Sequence, residues 1–353
     1  MSRPAEDTDH ETLLHATGSG SDPMNFEVAE GIVELPSGLT LHHGSHLDEV
    51  RVGWRLEGAR EAPVVVAMGG ISAHRRIFCD ERPEQGWWPE LVGTGRPLDP
   101  VQFRLLGLDY LGGSGATTGP RGVEGGFPPV SSWDQAEILA RVCDELSIDR
   151  LHAIVGASYG GMVALAFAAR FPERVGRILV ISAAHRTNPL ATAWRSIERE
   201  AVRFGLSHGD GAGGLRLARA LAMATYRTRR EFEQRFDGAP EVGPQRAVFP
   251  VERYLLARGD DYARRYAPGA FMCLSESIDL HRIEPESVRV PATLVAVTED
   301  QLVTIEEMRE LESRLAGPSR LYEIHSLFGH DAFLKEKEQL APVFAQVLSG
   351  ATP

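Results

Sequence analysis

The chain has 353 residues, 43% of them hydrophobic and 24% charged, enough to bury a sizeable core in about one large domain or two small ones. Its 49 acidic and 37 basic residues leave a formal net charge of −12, which argues against a general nucleic-acid binder, because neutralising phosphates needs clustered Lys and Arg. No apolar run approaches the roughly 18 residues of a membrane span, and Cys79, Cys143 and Cys273 are scattered and odd in number, so neither a disulfide framework nor a zinc site is suggested and a reducing cytoplasm fits.

Residues 1–25 are polar, with Gly-Ser-Gly-Ser at 18–21, and read as a disordered tail without the apolar core of a signal peptide. From Phe26 to Leu56, apolar and polar residues alternate around Pro36-Ser37-Gly38, the pattern of an antiparallel hairpin with one buried face. Continuous apolar runs then recur at Pro63–Met68, Phe103–Leu108, Leu151–Val155, Arg177–Ile181, Ala292–Val297 and Arg320–Ile324. Such runs suit strands buried on both faces. Between them, Ser132 and Gln135 form a capping box for a helix, and Met162–Ala169 forms another that stops near Phe171-Pro172. Residues 185–290 break the alternation and are mainly helical and rich in Arg and Glu, with helix signals at Leu190–Phe204, Gly214–Tyr226 and Glu231–Phe236. The predicted organisation is an α/β core at 26–184 and 291–350, with a mostly parallel sheet, and an inserted helical cap at 185–290.

Chemistry concentrates where strands end. Gly156-Ala157-Ser158-Tyr159-Gly160 sits between a strand and a helix, the pattern of a nucleophile elbow. A Ser hydroxyl is a weak nucleophile and needs a base oriented by a carboxylate, both later in the chain in this strand order. Asp300 lies just past the strand ending near Thr298, with Glu299 as its rival; His330 lies in the loop before the last helix, with His325 as its rival. Two N–H groups are needed for the oxyanion, and Tyr159 and Ile71, in the Gly69-Gly70-Ile71-Ser72 loop, are placed to give them. Lys335 and Lys337 are the only lysines, so a P-loop is impossible and a Schiff-base enzyme is disfavoured. The Gly112–Gly119 run fails the dinucleotide spacing and reads as a structural loop; His42, His43 and His46 lack metal-site spacing. Trp87-Trp88 reads as a core or lid anchor ahead of an aromatic-binding platform.

With these residues in place, the chain resembles the homoserine O-acyltransferase family of α/β-hydrolase-fold enzymes. The motifs that carry the resemblance are Gly86-Trp87-Trp88, Gly115–Pro120, Gly156–Met162, Thr225-Tyr226-Arg227 and Gly329–Leu334. Gly70–Arg75 and Ser275–Arg282 look like a short-chain branch associated with succinyl transfer. The resemblance implies Ser158 as nucleophile, Asp300 as orienting acid, His330 as base, Arg227 as partner of the homoserine carboxylate and Asp331 as partner of its amine. It also implies a homodimer, a CoA thioester as substrate, no bound cofactor or metal, and methionine biosynthesis as the setting. Ala157 and Tyr159 replace the Asn and Met usual in the family, and Asp109 replaces an Asn. Leu302, at a position the family links to acyl preference, resembles acetyl-transferring members. A succinyl group needs a further cation, for which Arg75, Arg186, Arg195 and Arg282 are the options. The expected activity is therefore homoserine O-succinyl transfer, with O-acetyl transfer, serine as acceptor, and ester or thioester hydrolysis as alternatives on the same three residues. A non-catalytic binding protein would be expected to lack one of them.

Overall fold

The computed structural model describes residues 26–120 and 126–350; the expected N-terminal tail lies outside them. Eight strands form one sheet: β1 Phe26–Leu35, β2 Val50–Ala59, β3 Val64–Met68, β4 Arg104–Leu108, β5 Ala153–Ala157, β6 Ile178–Ile181, β7 Ala292–Val297 and β8 Ser319–Ile324. Their order across the sheet is β1-β2-β4-β3-β5-β6-β7-β8. Only β1 with β2 and β2 with β4 run antiparallel. The middle strands are covered on both faces, which is why they read as unbroken apolar runs. Alternate residues go to opposite sides: Val66, Ile154, Val180 and Leu294 join one core, and Val65, Val155, Ile181 and Val295 the other. Edge strand β1 instead alternates exposed and half-buried positions.

The hairpin differs from expectation at its tip. Pro36-Ser37-Gly38 begins the turn, but the chain does not re-enter the sheet until Val50, having first made a small ribbon of Leu39–Thr40 with His46–Leu47. Helix α1 (Ser132–Glu145) also starts differently: its cap is Ser131, because Asp134 takes both the Ser131 N–H and hydroxyl, at 2.7 and 2.9 Å. Gln135 is drawn away to brace Leu111 at both its N–H and its carbonyl. Helix α2 (Tyr159–Arg170) begins three residues before the expected Met162, directly at the elbow, and is buried over nearly its whole length.

Between β6 and β7 lie α3 (Pro189–Ser207), α4 (Gly211–Tyr226), α5 (Arg229–Phe236), α6 (Pro250–Ala263) and α7 (Pro268–Asp279). The last two were not legible as separate helices. Gly205 and Gly214 let α3 and α4 cross closely: a Cβ on Gly205 would come within 2.8 Å of Gly214. Arg195 and Arg199 of α3 clasp Asp279 of α7. The segment is tied to the sheet where the chemistry lies, through Tyr266 Oη donating to the Ile71 carbonyl at 2.7 Å and a Ser72–Tyr262 hydroxyl contact at 3.0 Å. Helices α8 (Ile305–Arg314) and α9 (Lys337–Leu348) complete the chain, α9 closing over Trp88 through Phe344.

Candidate active site

The turn from β5 to α2 holds Ser158 at φ 53° and ψ −123°, outside the regions where a non-glycine residue normally rests. That conformation costs about 1–3 kcal/mol and persists only because its surroundings leave no alternative. Gly160 shows why: a Cβ there would stand 2.3 Å from the Met68 carbonyl oxygen, so β3 can press against the elbow only if the position is glycine. The strain lifts the Ser158 hydroxyl off the sheet end toward His330, whose Nε2 lies 2.8 Å from Oγ. The other ring nitrogen, Nδ1, donates to Asp300 Oδ2 at 2.7 Å. Asp300 is itself fixed by the N–H groups of Leu302 and Val303, at 2.8 and 3.1 Å on Oδ1. That arrangement sets the tautomer in which Nε2 is free to accept the Ser158 proton. Burial opposes a charge on His330, but Asp300 and then Asp331 outweigh it and lift its pKa above the ordinary value of 6.5.

The structure thus brings Ser158, His330 and Asp300 into one hydrogen-bonded chain. The rivals pair with each other on the surface, Glu299 lying 3.1 Å from a largely exposed His325. At the oxyanion position, the N–H groups of Ile71 and Tyr159 meet no acceptor among the described residues. The loop carrying Ile71 is clamped from beneath. Gly69 O accepts from Gly160 N at 2.9 Å and from Tyr110 Oη at 2.6 Å, and Asp109 holds the Arg75 N–H at 2.8 Å while pairing with its guanidinium. Asp109 also accepts from Ala116, which makes the Gly112–Gly119 segment a brace for this loop. Tyr159 is fully buried, its hydroxyl meeting Ser277 of α7 at 2.5 Å, so its side chain ties α2 to the inserted helices.

Two cavities meet at Ser158 and His330. One, of about 150 Å³, is walled by Gly70–Ala73, Arg219, Tyr226, Asp331 and Phe333. It shares Ile71, Ser72, Ala73, Trp87 and Arg219 with an outer cleft of about 700 Å³ that adds His74, Arg75, Arg76, Arg265 and Tyr266. The other, of about 40 Å³, lies against α3 and contains Arg195, Glu198, Leu302 and Val303. Trp87 and Trp88 part ways: Trp88 is fully buried, with its indole N–H on the Phe333 carbonyl at 2.8 Å, whereas Trp87 lines the cleft.

Asp331 faces the larger cavity, but Arg227 lines neither cavity at Ser158. Its guanidinium is engaged by Glu231 at 3.1 Å and by Asp331 at 3.0 Å. The cation that does reach the cavity is Arg219, one the sequence reading passed over. Its guanidinium lies over the rings of Tyr226 and Tyr262, at 5.3 and 4.8 Å, and has no carboxylate partner among the described residues. Burial works against its charge, yet Tyr226, Tyr262, Asp331 and Glu198 together hold its pKa above the ordinary arginine value. The available signal was the seven-residue spacing from Arg219 to Tyr226, which puts both on one face of α4. Glu198 of α3 is likewise not singled out by the sequence.

A strand-to-helix Ser with its base and acid on later loops of a mostly parallel sheet defines an α/β-hydrolase-type acyl-transfer site. A family model for the alpha/beta hydrolase fold matches residues 83–337. The chain is 42% identical over 316 residues to a homoserine O-succinyltransferase of Xanthomonas campestris pv. campestris, covering 89% of this chain and 83% of that one. It is 33% identical over 362 residues to a serine O-succinyltransferase of Litchfieldella anticariensis, covering 91% and 98%. Among solved structures, a homoserine O-acetyltransferase from Bacillus anthracis superposes with a TM-score of 0.82 at 21% identity, over 92% of this chain and 99% of that one. The chain belongs to the α/β-hydrolase-fold family and, within it, to the homoserine O-acyltransferases.

Proposed function

We propose that this protein transfers a succinyl group from succinyl-CoA to the hydroxyl of L-homoserine through an acyl-enzyme on Ser158. The observation that carries the reading is the larger cavity, where the Ser158–His330–Asp300 chain meets an unpaired cation, Arg219, and an anion, Asp331. A cation and an anion on one wall complement the carboxylate and ammonium of an amino acid. Succinyl as the acyl group is supported by the 42% identical relative. The outer cleft, with Arg76 and Arg265 on its walls and Trp87 near its inner end, suits the phosphates and long arm of CoA.

In the first half-reaction Ser158 Oγ attacks the thioester carbonyl carbon while its proton passes to His330 Nε2. The oxyanion rests on the N–H groups of Ile71 and Tyr159. The C–S bond then breaks, His330 protonates the thiolate, and CoA departs through the cleft. Homoserine enters the space left, its hydroxyl gives a proton to His330 and attacks the ester carbon. The intermediate collapses, Oγ regains the proton from His330, and O-succinylhomoserine leaves. These steps balance with the thioester as co-substrate, and we assign the enzyme no bound metal or cofactor. Arg227, implied by resemblance as the carboxylate partner, is assigned here to bracing Asp331, and Arg219 to the carboxylate itself.

We further propose that residues 185–290 form a lid that limits water at the acyl-enzyme, and that the protein is a cytoplasmic homodimer acting in methionine biosynthesis. Among the described residues no helix is long and apolar enough to cross a membrane. Leu190, Ile197 and Phe204, seven residues apart on α3 and each more than half exposed, support a self-association face. Serine is the second acceptor to consider, since one methylene is worth only about 1–3 kcal/mol in a pocket and the second relative acts on serine by name. The test is thiol release from succinyl-CoA and from acetyl-CoA, each with homoserine, with serine and with no acceptor. Release from succinyl-CoA that requires homoserine supports the reading. Homoserine-dependent release from acetyl-CoA alone keeps the mechanism and changes the donor. Equal release without an acceptor makes the protein a thioesterase.

A further inference from the structure

The small cavity at Ser158 has a wall unlike that of the larger one. Met162, Ile278, Leu302 and Val303 make it apolar near the nucleophile, and two groups of α3, Arg195 and Glu198, make it polar at its side. Arg195 places Nε and Nη2 on one oxygen of Asp279, at 2.9 and 2.6 Å, leaving Nη1 without a partner among the described residues. Arg199 holds the other Asp279 oxygen through Nη1 at 2.7 Å. Two guanidinium groups therefore share one carboxylate, and one positive charge is left uncompensated beside the cavity. Glu198 is buried and makes no hydrogen bond or ion pair among the described residues. Burial pushes its carboxyl up to about 8 against the pull of Arg195, Arg219 and Arg199, which favours the protonated form that can donate a hydrogen bond. Arg186, also on this wall, is committed to Glu310 at 3.3 Å.

We propose that this cavity receives the far end of a dicarboxylic acyl group, with Arg195 binding the terminal carboxylate, Glu198 donating a hydrogen bond to it, and Leu302 packing on the methylenes. The inference rests on the acyl-transfer reading above and names what selects the donor. Of the four arginines open to this role from the sequence, Arg75 and Arg282 line neither cavity at Ser158, and Arg186 turns to Glu310, whereas Arg195 shares its one carboxylate, Asp279, with Arg199 and keeps Nη1 without a partner among the described residues. The space is small, about 40 Å³, and opens at Ser158 and His330, which suits a short acid tail. The division of labour also follows: the acyl tail stays in the small cavity throughout, while thiol and then acceptor take turns in the larger one.

The test compares succinyl-CoA, butyryl-CoA (equal in length and uncharged at its end) and acetyl-CoA as donors, with homoserine as acceptor. The unmodified protein is expected to prefer succinyl-CoA over butyryl-CoA. In Arg195→Gln, kcat/KM for succinyl-CoA is expected to fall about 30–100-fold, as for loss of a charge-assisted contact, with butyryl-CoA and acetyl-CoA changed by about threefold or less. Glu198→Gln, which keeps a neutral donor of the same shape, is expected to retain the succinyl preference. If Arg195→Gln does not fold because Asp279 loses a partner, Arg195→Gln/Asp279→Asn removes that carboxylate and carries the same expectation. Equal loss on all three donors, or a raised KM for homoserine with the donor ratio intact, overturns the inference. An unmodified protein that shows no homoserine-dependent transfer removes the functional reading itself, before any variant is made.

Discussion

In the proposed reaction, the reacting atoms and the groups assigned to substrate choice come from different parts of the chain. Ser158 and Asp300 sit on turns directly past the ends of β5 and β7, and His330 lies in the short 3-10 helix Gly329–Leu334 that follows β8. Arg195, Glu198, Arg219 and Tyr226 sit on α3 and α4, which are positioned by packing on each other and on α6 and α7, by the pairing of Arg195 and Arg199 with Asp279, and by the Asn188 side chain donating to the Leu302 carbonyl. On that reading, substrate choice and acyl chemistry rest on separate parts of the fold. Moving the elbow would break the contact of Gly160 with β3, whereas the helix side chains are held by pairings such as Arg195 and Arg199 with Asp279.

The comparison breaks most sharply at the sheet. Ser158→Ala removes the nucleophile and is expected to lower kcat by about 10⁴-fold or more in both half-reactions, since the remaining hydrogen-bond donors and binding cannot replace it. The check is donor-dependent thiol release under single-turnover conditions, where even the first equivalent of CoA should be lost. On the helices the effect should be smaller and confined to one half-reaction. Arg219→Met keeps the aliphatic bulk between Tyr226 and Tyr262 but removes the charge. It is expected to lower kcat/KM for homoserine by about 30–100-fold while a first equivalent of CoA is still released. Arg227→Gln, whose guanidinium is turned to Glu231 and Asp331, should cost the acceptor less than Arg219→Met does. The reverse ranking would return the carboxylate to Arg227.

The same division decides what could be read from the sequence. Ser158 and Asp300 each follow an apolar run that ends in a turn, so strand, turn and candidate residue are encoded within about ten residues, Leu151–Val155 before Ser158 and Ala292–Val297 before Asp300, whereas His330 follows the half-exposed Ser319–Ile324. The order of the strands and turns favours Asp300 and His330 over the rivals Glu299 and His325, and in three dimensions those two pair with each other on the surface while Asp300 and His330 turn toward Ser158. On the helices no such marker exists. Arg195, Arg199 and Arg203 recur every four residues along α3, yet the first two clasp Asp279 while Arg203 meets Glu200 on the surface. Amphipathic spacing tells that a face is buried, not which end of a buried arginine has no partner. The capping box slipped by one residue for a similar reason, since Ser131 and Ser132 are equivalent until Asp134 and His42 are brought together, with the His42 N–H on its carboxylate at 2.6 Å.

The finest test of the comparison lies at Asp331, which belongs to both regions: it follows His330 in the sheet loop and pairs with Arg227 at the end of α4. Acyl transfer needs His330 neutral at Nε2, so activity falls as pH drops through its pKa, which Asp300 and Asp331 hold above 6.5 against burial. Removing the charge in Asp331→Asn lowers that pKa, so the acid limb of the kcat/KM profile for the acyl-CoA should move toward lower pH, by about one unit or less. Arg227 keeps Glu231 in the variant, so the loop is not left with an unpaired buried cation. The acceptor profile should move in the same direction and also drop in height, because the ammonium loses its partner. If only the height changed, Asp331 would act on the acceptor alone. If only the limb moved, it would act through His330, and the zwitterion would need another anion within the cavity.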